Sequence, residues 1–346
     1  MQLQMSNELD FTKLKKLLEE KFFGHADVIE ISQISGGYSN LTFLIKSPKG
    51  KFALRRPPFG EKISKAHDME REFNVLISLN KAGYSKSPKP VFFSDDPDVF
   101  GAPFFVMEFV EGLILRNKTP KGIEFKQADF KKLSEKTLDC LLELHSLELH
   151  ESGLIKLGKP EGYVSRQVEG WTDRYFKAMT NELPEMETVA EWLKSNIPSL
   201  ENIGFIHNDY KYDNLVLNPE NASEIKAVLD WEMATVGDPL MDLGTSLAYW
   251  AEADDPDILK MFNLTYLPGN LTRKEVIEYY SLKSQLDLSN ILFYYIFGLF
   301  KVAVIAQQIY KRFTQGHAND PRFSALIHVV EAAGKRAHES ILTEKI

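Results

Sequence analysis

Apolar positions along the chain change their spacing several times, and each change marks an element. Phe11, Leu14, Leu17, Leu18 and Phe22 recur at helical spacing, with Asp10 placed to cap a first helix and Gly24 placed to end it. Between 28 and 56 the texture shifts to short β-type runs, 28–34, 40–46 and 51–56. They are separated by Ser35-Gly36-Gly37-Tyr38 and Ser47-Pro48-Lys49-Gly50, which predicts an antiparallel meander. Met69, Phe73, Leu76 and Ile77 then predict a helix over 66–81, closed by Gly83, and two further strands are expected at 90–94 and 104–109. Strands, one helix and strands again make a small α+β lobe over residues 1–110.

From Glu111 onward the pattern is mostly helical, so 111–346 is expected to form a larger helical lobe. Helices are predicted near 130–147, 187–196, 240–251, 274–281, 291–313 and 323–342, and a β-type island at 204–217 and 225–230 is joined by the turn Asn218-Pro219-Glu220-Asn221. The run 291–306 is apolar apart from Lys301. It falls short of about 18 uninterrupted apolar residues and carries a lysine near its centre, so it reads as a buried helix.

Composition narrows the function. The 346 residues, 44% hydrophobic, are enough for a packed two-lobed protein, and a formal net charge of −8 gives no overall attraction to nucleic acid. The single cysteine, Cys140, allows no intrachain disulfide and reads as a small buried apolar residue. The first residues lack a basic region followed by an apolar core, so no signal peptide and no membrane partner is expected, and the cytoplasm is the default location. Oligomeric state has no signature in the sequence.

The β-island reads His207-Asn208-Asp209-Tyr210-Lys211-Tyr212-Asp213-Asn214, with Leu229-Asp230-Trp231-Glu232 following 16 residues after Asn214. Phosphoryl transfer from ATP asks for a carboxylate to orient the attacking hydroxyl, and for an amide and a second carboxylate to hold Mg²⁺ on the phosphates. Asp209, Asn214 and Asp230 supply that set. Asp213 reads as a solvated turn residue.

This pattern resembles the H-x-D-x-x-x-x-N catalytic loop and following metal aspartate of the kinase superfamily, in the form typical of aminoglycoside phosphotransferases and choline kinases. The resemblance implies a protein kinase-like two-lobe fold with ATP and Mg²⁺ as cofactors. Asp209 would be the catalytic base, Asn214 and Asp230 the magnesium ligands, and Lys211 a side chain reaching the transferred phosphate. His207 would brace the loop, as would Asp242 of Gly237-Asp238-Pro239-Leu240-Met241-Asp242-Leu243-Gly244 from the start of a helix. Glu232 can approach metal or substrate, or pair with a surface cation.

On the nucleotide side, Gly36, Gly37, Ser39 and Asn40 either fold over the phosphates or form a plain hairpin. Arg55 stands where kinases carry a phosphate-binding lysine, a departure that keeps the charge but needs a differently placed acidic partner. Glu72 is the expected partner and Glu70 the alternative. The stretch Met107-Glu108-Phe109-Val110-Glu111-Gly112 resembles the hinge, where backbone groups of Glu108 and Val110 would hold adenine.

Three runs, Phe52-Ala53-Leu54-Arg55-Arg56-Pro57-Pro58, Ser165-Arg166-Gln167-Val168-Glu169-Gly170-Trp171 and Phe300-Lys301-Val302-Ala303-Val304-Ile305, are similar to the kinase-like domains fused to some acyl-CoA dehydrogenases. That resemblance implies a small hydroxylated acceptor, a hydroxyacyl thioester or hydroxy acid, ahead of an aminoglycoside or choline-like alcohol. Arg166, Trp171, Arg174 and Tyr175 would line its site if their helix faces the catalytic loop; ordinary helix packing is the alternative for Trp171 and Tyr175. The rival reading of the whole chain is a nucleotide-binding pseudokinase, prompted by Arg55. A protein kinase is disfavoured because Asp238-Pro239 follows Asp230-Trp231-Glu232 too soon for a peptide-binding activation segment.

Overall fold

A computed structural model describes residues 11–23, 30–34, 40–58, 69–120, 122–318 and 320–346, which form two compact units dividing between Glu111 and Gly112. In the first unit, helix α1 (Thr12–Leu18) runs into a single π-helical turn, Glu19–Phe23. Strands β1 (Glu30–Ile34), β2 (Leu41–Ser47) and β3 (Gly50–Arg56) form the expected meander. Helix α2 (Met69–Lys81), β4 (Pro90–Ser94), the short α3 (Pro97–Phe100) and β5 (Phe104–Glu108) complete the unit. The five strands make one antiparallel sheet in the order β1-β2-β3-β5-β4. The expected cap Asp10, the stop Gly24, the residues 35–39 and the helix start at 66–68 lie outside the described residues.

Strand periodicity divides this sheet into two packed faces. Phe43, Ile45, Leu54, Phe104 and Val106 are buried with Leu14 and Leu18 of α1 and Phe100 of α3. Residues of the opposite parity in β3 and β5, Arg55 and Phe105, belong to the face of α2, whose Phe73 ring lies 6.0 Å from that of Phe105. Arg55 therefore enters the sheet between apolar neighbours and meets α2.

The second unit contains α4 (Gln127–His145), α5 (Tyr163–Ala178), α6 (Pro184–Ser195), β6 (Gly204–Ile206), β7 (Leu215–Asn218), β8 (Asn221–Val228), β9 (Thr235–Gly237), α7 (Pro239–Tyr249), α8 (Asp257–Lys260), α9 (Arg273–Ser284), α10 (Ile291–Thr314) and α11 (Leu326–Thr343). The expected strand over 204–217 is in fact two. Strand β6 pairs with β9, β7 pairs with β8, and between β6 and β7 the chain turns at Asn208, whose φ is +68°. A positive φ at an asparagine leaves no trace in hydrophobic alternation, so the pattern could not reveal the break.

Helix α10 is 24 residues long with a mean hydropathy of 1.5 in its most apolar window, so length and composition alone would let it cross a membrane. That window is 78% buried inside the protein, and α10 is the core helix of the second unit, packed on α7 and α11. Its crossing with α7 is a glycine contact. A Cβ at Gly298 would lie 2.3 Å from the Gly244 carbonyl oxygen, and one at Gly244 would lie 2.2 Å from that of Tyr294. Backbones in such contact leave no room for a methyl group. Gly298→Ala is expected to lower unfolding free energy by about 1–3 kcal/mol through overpacking, measurable by urea denaturation.

Candidate active site

Strand β6 ends at Ile206, and the loop that starts at His207 is held by one carboxylate. Asp242, in the first turn of α7 and fully buried, accepts the His207 N–H at 2.6 Å through Oδ2 and the Asn208 N–H at 2.7 Å through Oδ1. His145 of α4 donates from Nε2 to the same Oδ2 at 3.1 Å, while its Nδ1 sits 2.7 Å from the Tyr280 hydroxyl of α9. Burial by itself would raise the Asp242 carboxyl. The hydrogen bond from His145, the two nearby imidazoles and the His207 N–H outweigh it and hold the carboxyl below its ordinary value.

The His207 ring braces the loop, as the sequence suggested. Its Nδ1 accepts the Asp209 N–H at 3.2 Å, so its Nε2 is the donor to the Leu229 carbonyl at 2.9 Å. The Trp231 ring packs on it with centroids 4.8 Å apart.

Asp209 lies beyond the turn, its side chain 17% exposed. Lys211 donates to both of its oxygens at 2.8 and 2.7 Å, and Asn214 Nδ2 donates to Asp209 Oδ2 at 3.0 Å and to its carbonyl at 2.8 Å. Lys211 also lies 4.5 Å above the Tyr249 ring. Burial would lower the Lys211 ammonium, but Asp209, then Tyr249 and Asp230, raise it above its ordinary value. Lys211, expected to reach the transferred phosphate, sits on the Asp209 carboxylate.

Because the Asn214 amide nitrogen is engaged by Asp209, its Oδ1 is the atom left to face a cation. The Leu229 N–H donates to the Asn214 carbonyl at 2.8 Å, which sets Asp230 beside it, and Asp230 itself adopts φ +67°. Left-handed backbone at a non-glycine residue is strained, and such residues recur at active sites. An amide oxygen and a carboxylate are the hard donors Mg²⁺ takes when phosphates and water complete its shell. No group of three or more His, Cys, Asp or Glu side chains suited to a metal occurs among the described residues. Glu232 is half-buried in the 3₁₀ turn Trp231–Met233. Asp213, expected to be solvated, is only partly exposed and lies 3.5 Å from Arg116, and burial raises its carboxyl.

Beneath the loop lie groups that the sequence reading missed. Asn208 Nδ2 donates to the Tyr163 hydroxyl and the Met233 carbonyl, both at 3.1 Å. Lys301 of α10 donates to the Asn208 carbonyl at 2.6 Å. The visible signal was that Lys301 interrupts an apolar helix, because a lysine is rarely buried without a partner.

The four acceptor candidates on α5 separate. Trp171 lies at the loop's support, its ring 5.6 Å from the Lys301 ammonium and 4.8 Å from the Arg174 guanidinium. Tyr175 is fully buried against Phe300, with ring centroids 5.8 Å apart, so the packing alternative holds and it lines no open surface. Arg166 folds back onto the carbonyls of Lys159 and Glu161 at the start of its own helix, which corrects the expectation that it faces the loop.

In the first unit, Arg55 Nη1 donates to Glu72 Oε1 at 2.7 Å, with side chains 9% and 2% exposed. The guanidinium did find its acid one helix away, and the acid is Glu72, not Glu70. Asn40 is buried; Gly36, Gly37 and Ser39 lie outside the described residues. At the expected hinge the Glu108 N–H donates to Lys89 O at 2.8 Å, leaving its carbonyl, while the Val110 N–H meets no backbone carbonyl among the described residues.

Residues 30–276 match the model of the phosphotransferase enzyme family, and the chain belongs to that family. It is 35% identical over 298 residues to acyl-CoA dehydrogenase family member 10 of Mus musculus, covering 84% of this chain and 27% of that protein. To family member 11 of Rattus norvegicus it is 33% identical over 319 residues, covering 90% and 40%. The chain thus spans about a quarter to two-fifths of these relatives' length. A provisionally named aminoglycoside phosphotransferase of Ralstonia eutropha JMP134 superposes with a TM-score of 0.82 at 26% identity, over 97% of this chain and 99% of that one. Choline kinase of Cryptosporidium parvum Iowa II gives 0.64 at 14% identity, over 96% of each chain. The fold is kinase-like.

Replacing Asp242 by Asn leaves one acceptor oxygen and sets an amide NH2 against the donors that the other oxygen received. Asp242→Asn is expected to cost about 3–5 kcal/mol near neutral pH. Because the folded carboxyl lies below its unfolded value, its contribution is complete above about pH 4 to 5 and lost as the pH falls through the folded value. Denaturant curves of both proteins should therefore converge only in strong acid.

Proposed function

We propose that this chain transfers the γ-phosphate of ATP, taken as its magnesium complex, to a hydroxyl of a small anionic molecule, a hydroxyacyl-CoA or a hydroxy acid. The observation that carries this reading is the Asp209 carboxylate, held by Lys211 and Asn214 in a loop whose main chain is tied to Asp242. Asp209 accepts the proton of the acceptor hydroxyl as its oxygen bonds to the γ-phosphorus, and the bond to the ADP oxygen breaks. Lys211 keeps that carboxylate ionised and aimed. Asn214 Oδ1 and the Asp230 carboxylate hold Mg²⁺, which supplies charge neutralisation on the phosphates when bound.

In the first unit Arg55, fixed by Glu72, serves as the phosphate-binding cation, and Asn40 with Gly36, Gly37 and Ser39 supplies further phosphate donors. The Glu108 carbonyl and the Val110 N–H suit the donor and acceptor edge of adenine. A pseudokinase would keep nucleotide binding without transfer. The preserved ion pair at Arg55, together with Asp209, Asn214 and Asp230, supports turnover instead.

The charge around the loop supports an anionic acceptor. Lys211 and Arg174 both act electrostatically on the Lys301 ammonium, and Trp171 already carries two cations on its ring. A quaternary ammonium acceptor would want aromatic faces and carboxylates there. Glu232, half-buried in the turn that follows Asp230, meets the acceptor's polar end.

Phosphorus NMR of Mg·ATP mixed with hydroxyacyl-CoAs, hydroxy acids, aminoglycosides, choline-type alcohols and a generic protein should show a new phosphate ester with the acyl acceptors. Transfer to an aminoglycoside or choline alone would overturn the anionic assignment, and binding without any transfer would favour the pseudokinase. Asp230→Ala should weaken Mg·ATP binding at least about tenfold by calorimetry.

A further inference from the structure

Lys301 is 2% exposed on α10, where an aliphatic side chain would fill the same core position without the cost of burying an ammonium. No carboxylate lies within ion-pair distance of it among the described residues. Its bond partners are the Asn208 carbonyl at 2.6 Å and, more loosely, Asn208 Oδ1 at 3.3 Å. The groups facing it come from two helices and the loop itself: Trp171 and Arg174 from α5, Asp242 from α7, and Asp209 and Lys211 from the loop.

The atom that Lys301 holds belongs to the peptide joining Asn208 to Asp209. The other end of that peptide, the Asp209 N–H, donates to His207 Nδ1 at 3.2 Å. The plane that delivers Asp209 is therefore fixed on both edges, by an imidazole on the N–H side and an ammonium on the carbonyl side. The turn preceding it is in the left-handed region at φ +68°, where an asparagine stays only if its surroundings hold it.

We propose that Lys301 is a positioning residue for Asp209: its ammonium form fixes the Asn208–Asp209 peptide, and turnover falls as that form is lost. The inference rests on the reading of Asp209 as the base. Burial lowers the ammonium to about 8, against the raising charges of Asp209 and Asp242 and with the lowering ones of Lys211 and Arg174. Loss of the proton removes the charge assistance from the carbonyl hydrogen bond, which makes such bonds roughly twice as strong as neutral ones.

The test measures ADP release from Mg·ATP, with hydroxybutyryl-CoA as acceptor, between about pH 6.5 and pH 10. Wild-type kcat should fall about tenfold per pH unit above about 8. Lys301→Arg, whose charge does not titrate in this range, should keep its rate there. Lys301→Met should be at least about tenfold slower at neutral pH, with KM for ATP changed less than about twofold and no alkaline fall. If the methionine variant keeps the wild-type alkaline fall, the inference is wrong, whether or not the arginine variant folds.

Thermal unfolding gives a second readout that needs no acceptor. The unfolded lysine holds its proton to about 10.4, so wild-type stability should rise with pH between about 8 and that value, and Lys301→Met should lack the rise. Equal slopes in the two proteins would also overturn the inference. Asp209→Ala separates the two ideas: if it turns over like wild type, or if wild type releases no ADP, the phosphotransfer reading fails, and the melting curves still decide where Lys301 titrates.

Discussion

The loop from His207 to Asn214 hangs on the Asp242 carboxylate. Its two oxygens receive the N–H groups of consecutive loop residues, His207 and Asn208, and a third donor, His145, arrives from α4. A carboxylate buried this deeply is tolerable only because each oxygen is engaged and two imidazoles lie near. Its place in the first turn of α7 adds the favourable end of a helix dipole. Everything that positions Asp209 follows from there. The glycine crossing of Gly244 and Gly298 sets the spacing between α7 and α10, and these two helices carry the two side chains, Asp242 and Lys301, that grip the loop's main chain from N–H and carbonyl sides.

Much of this was legible in the sequence, for a physical reason. The proposed phosphoryl transfer needs a carboxylate and oxygen donors at fixed intervals, two on one loop and a third after the β7–β8 hairpin, so the spacing of Asp209, Asn214 and Asp230 survives as a linear pattern. The meander, α2 and the long helices were likewise legible, because each buries one face and shows it as periodicity. What escaped was set by tertiary contact. Strand β9 is three residues long, the break after β6 turns on a positive φ at Asn208, and helix α5 shows its apolar face at Val164, Val168, Trp171 and Tyr175 without announcing what it faces. Arg166 and Tyr175 sat at plausible helical spacing for an acceptor site, yet one folds onto its own helix start and the other lies in the core.

The arginine at position 55 illustrates how a departure from a pattern can be absorbed. Guanidinium is planar and longer than ammonium, and it enters between apolar neighbours of the sheet, where an uncompensated charge would be costly. Glu72 meets it at 2.7 Å from α2, so the buried guanidinium is compensated by a carboxylate one helix away. In the second unit Asp209, Asp242, Lys211 and Arg174 all act on the buried Lys301 ammonium, and the anionic acceptor proposed above rests on the cations among them.

The central claim is that Asp209 carries the transfer step while other groups bind the nucleotide. Asp209→Ala tests it most directly, with phosphate transfer followed by phosphorus NMR and Mg·ATP affinity by calorimetry on the same preparation. Loss of a general base removes about 10²–10⁴-fold of rate, so transfer should fall by that factor while affinity stays within about threefold. Transfer within tenfold of wild type, or a parallel collapse of nucleotide affinity, would contradict the account.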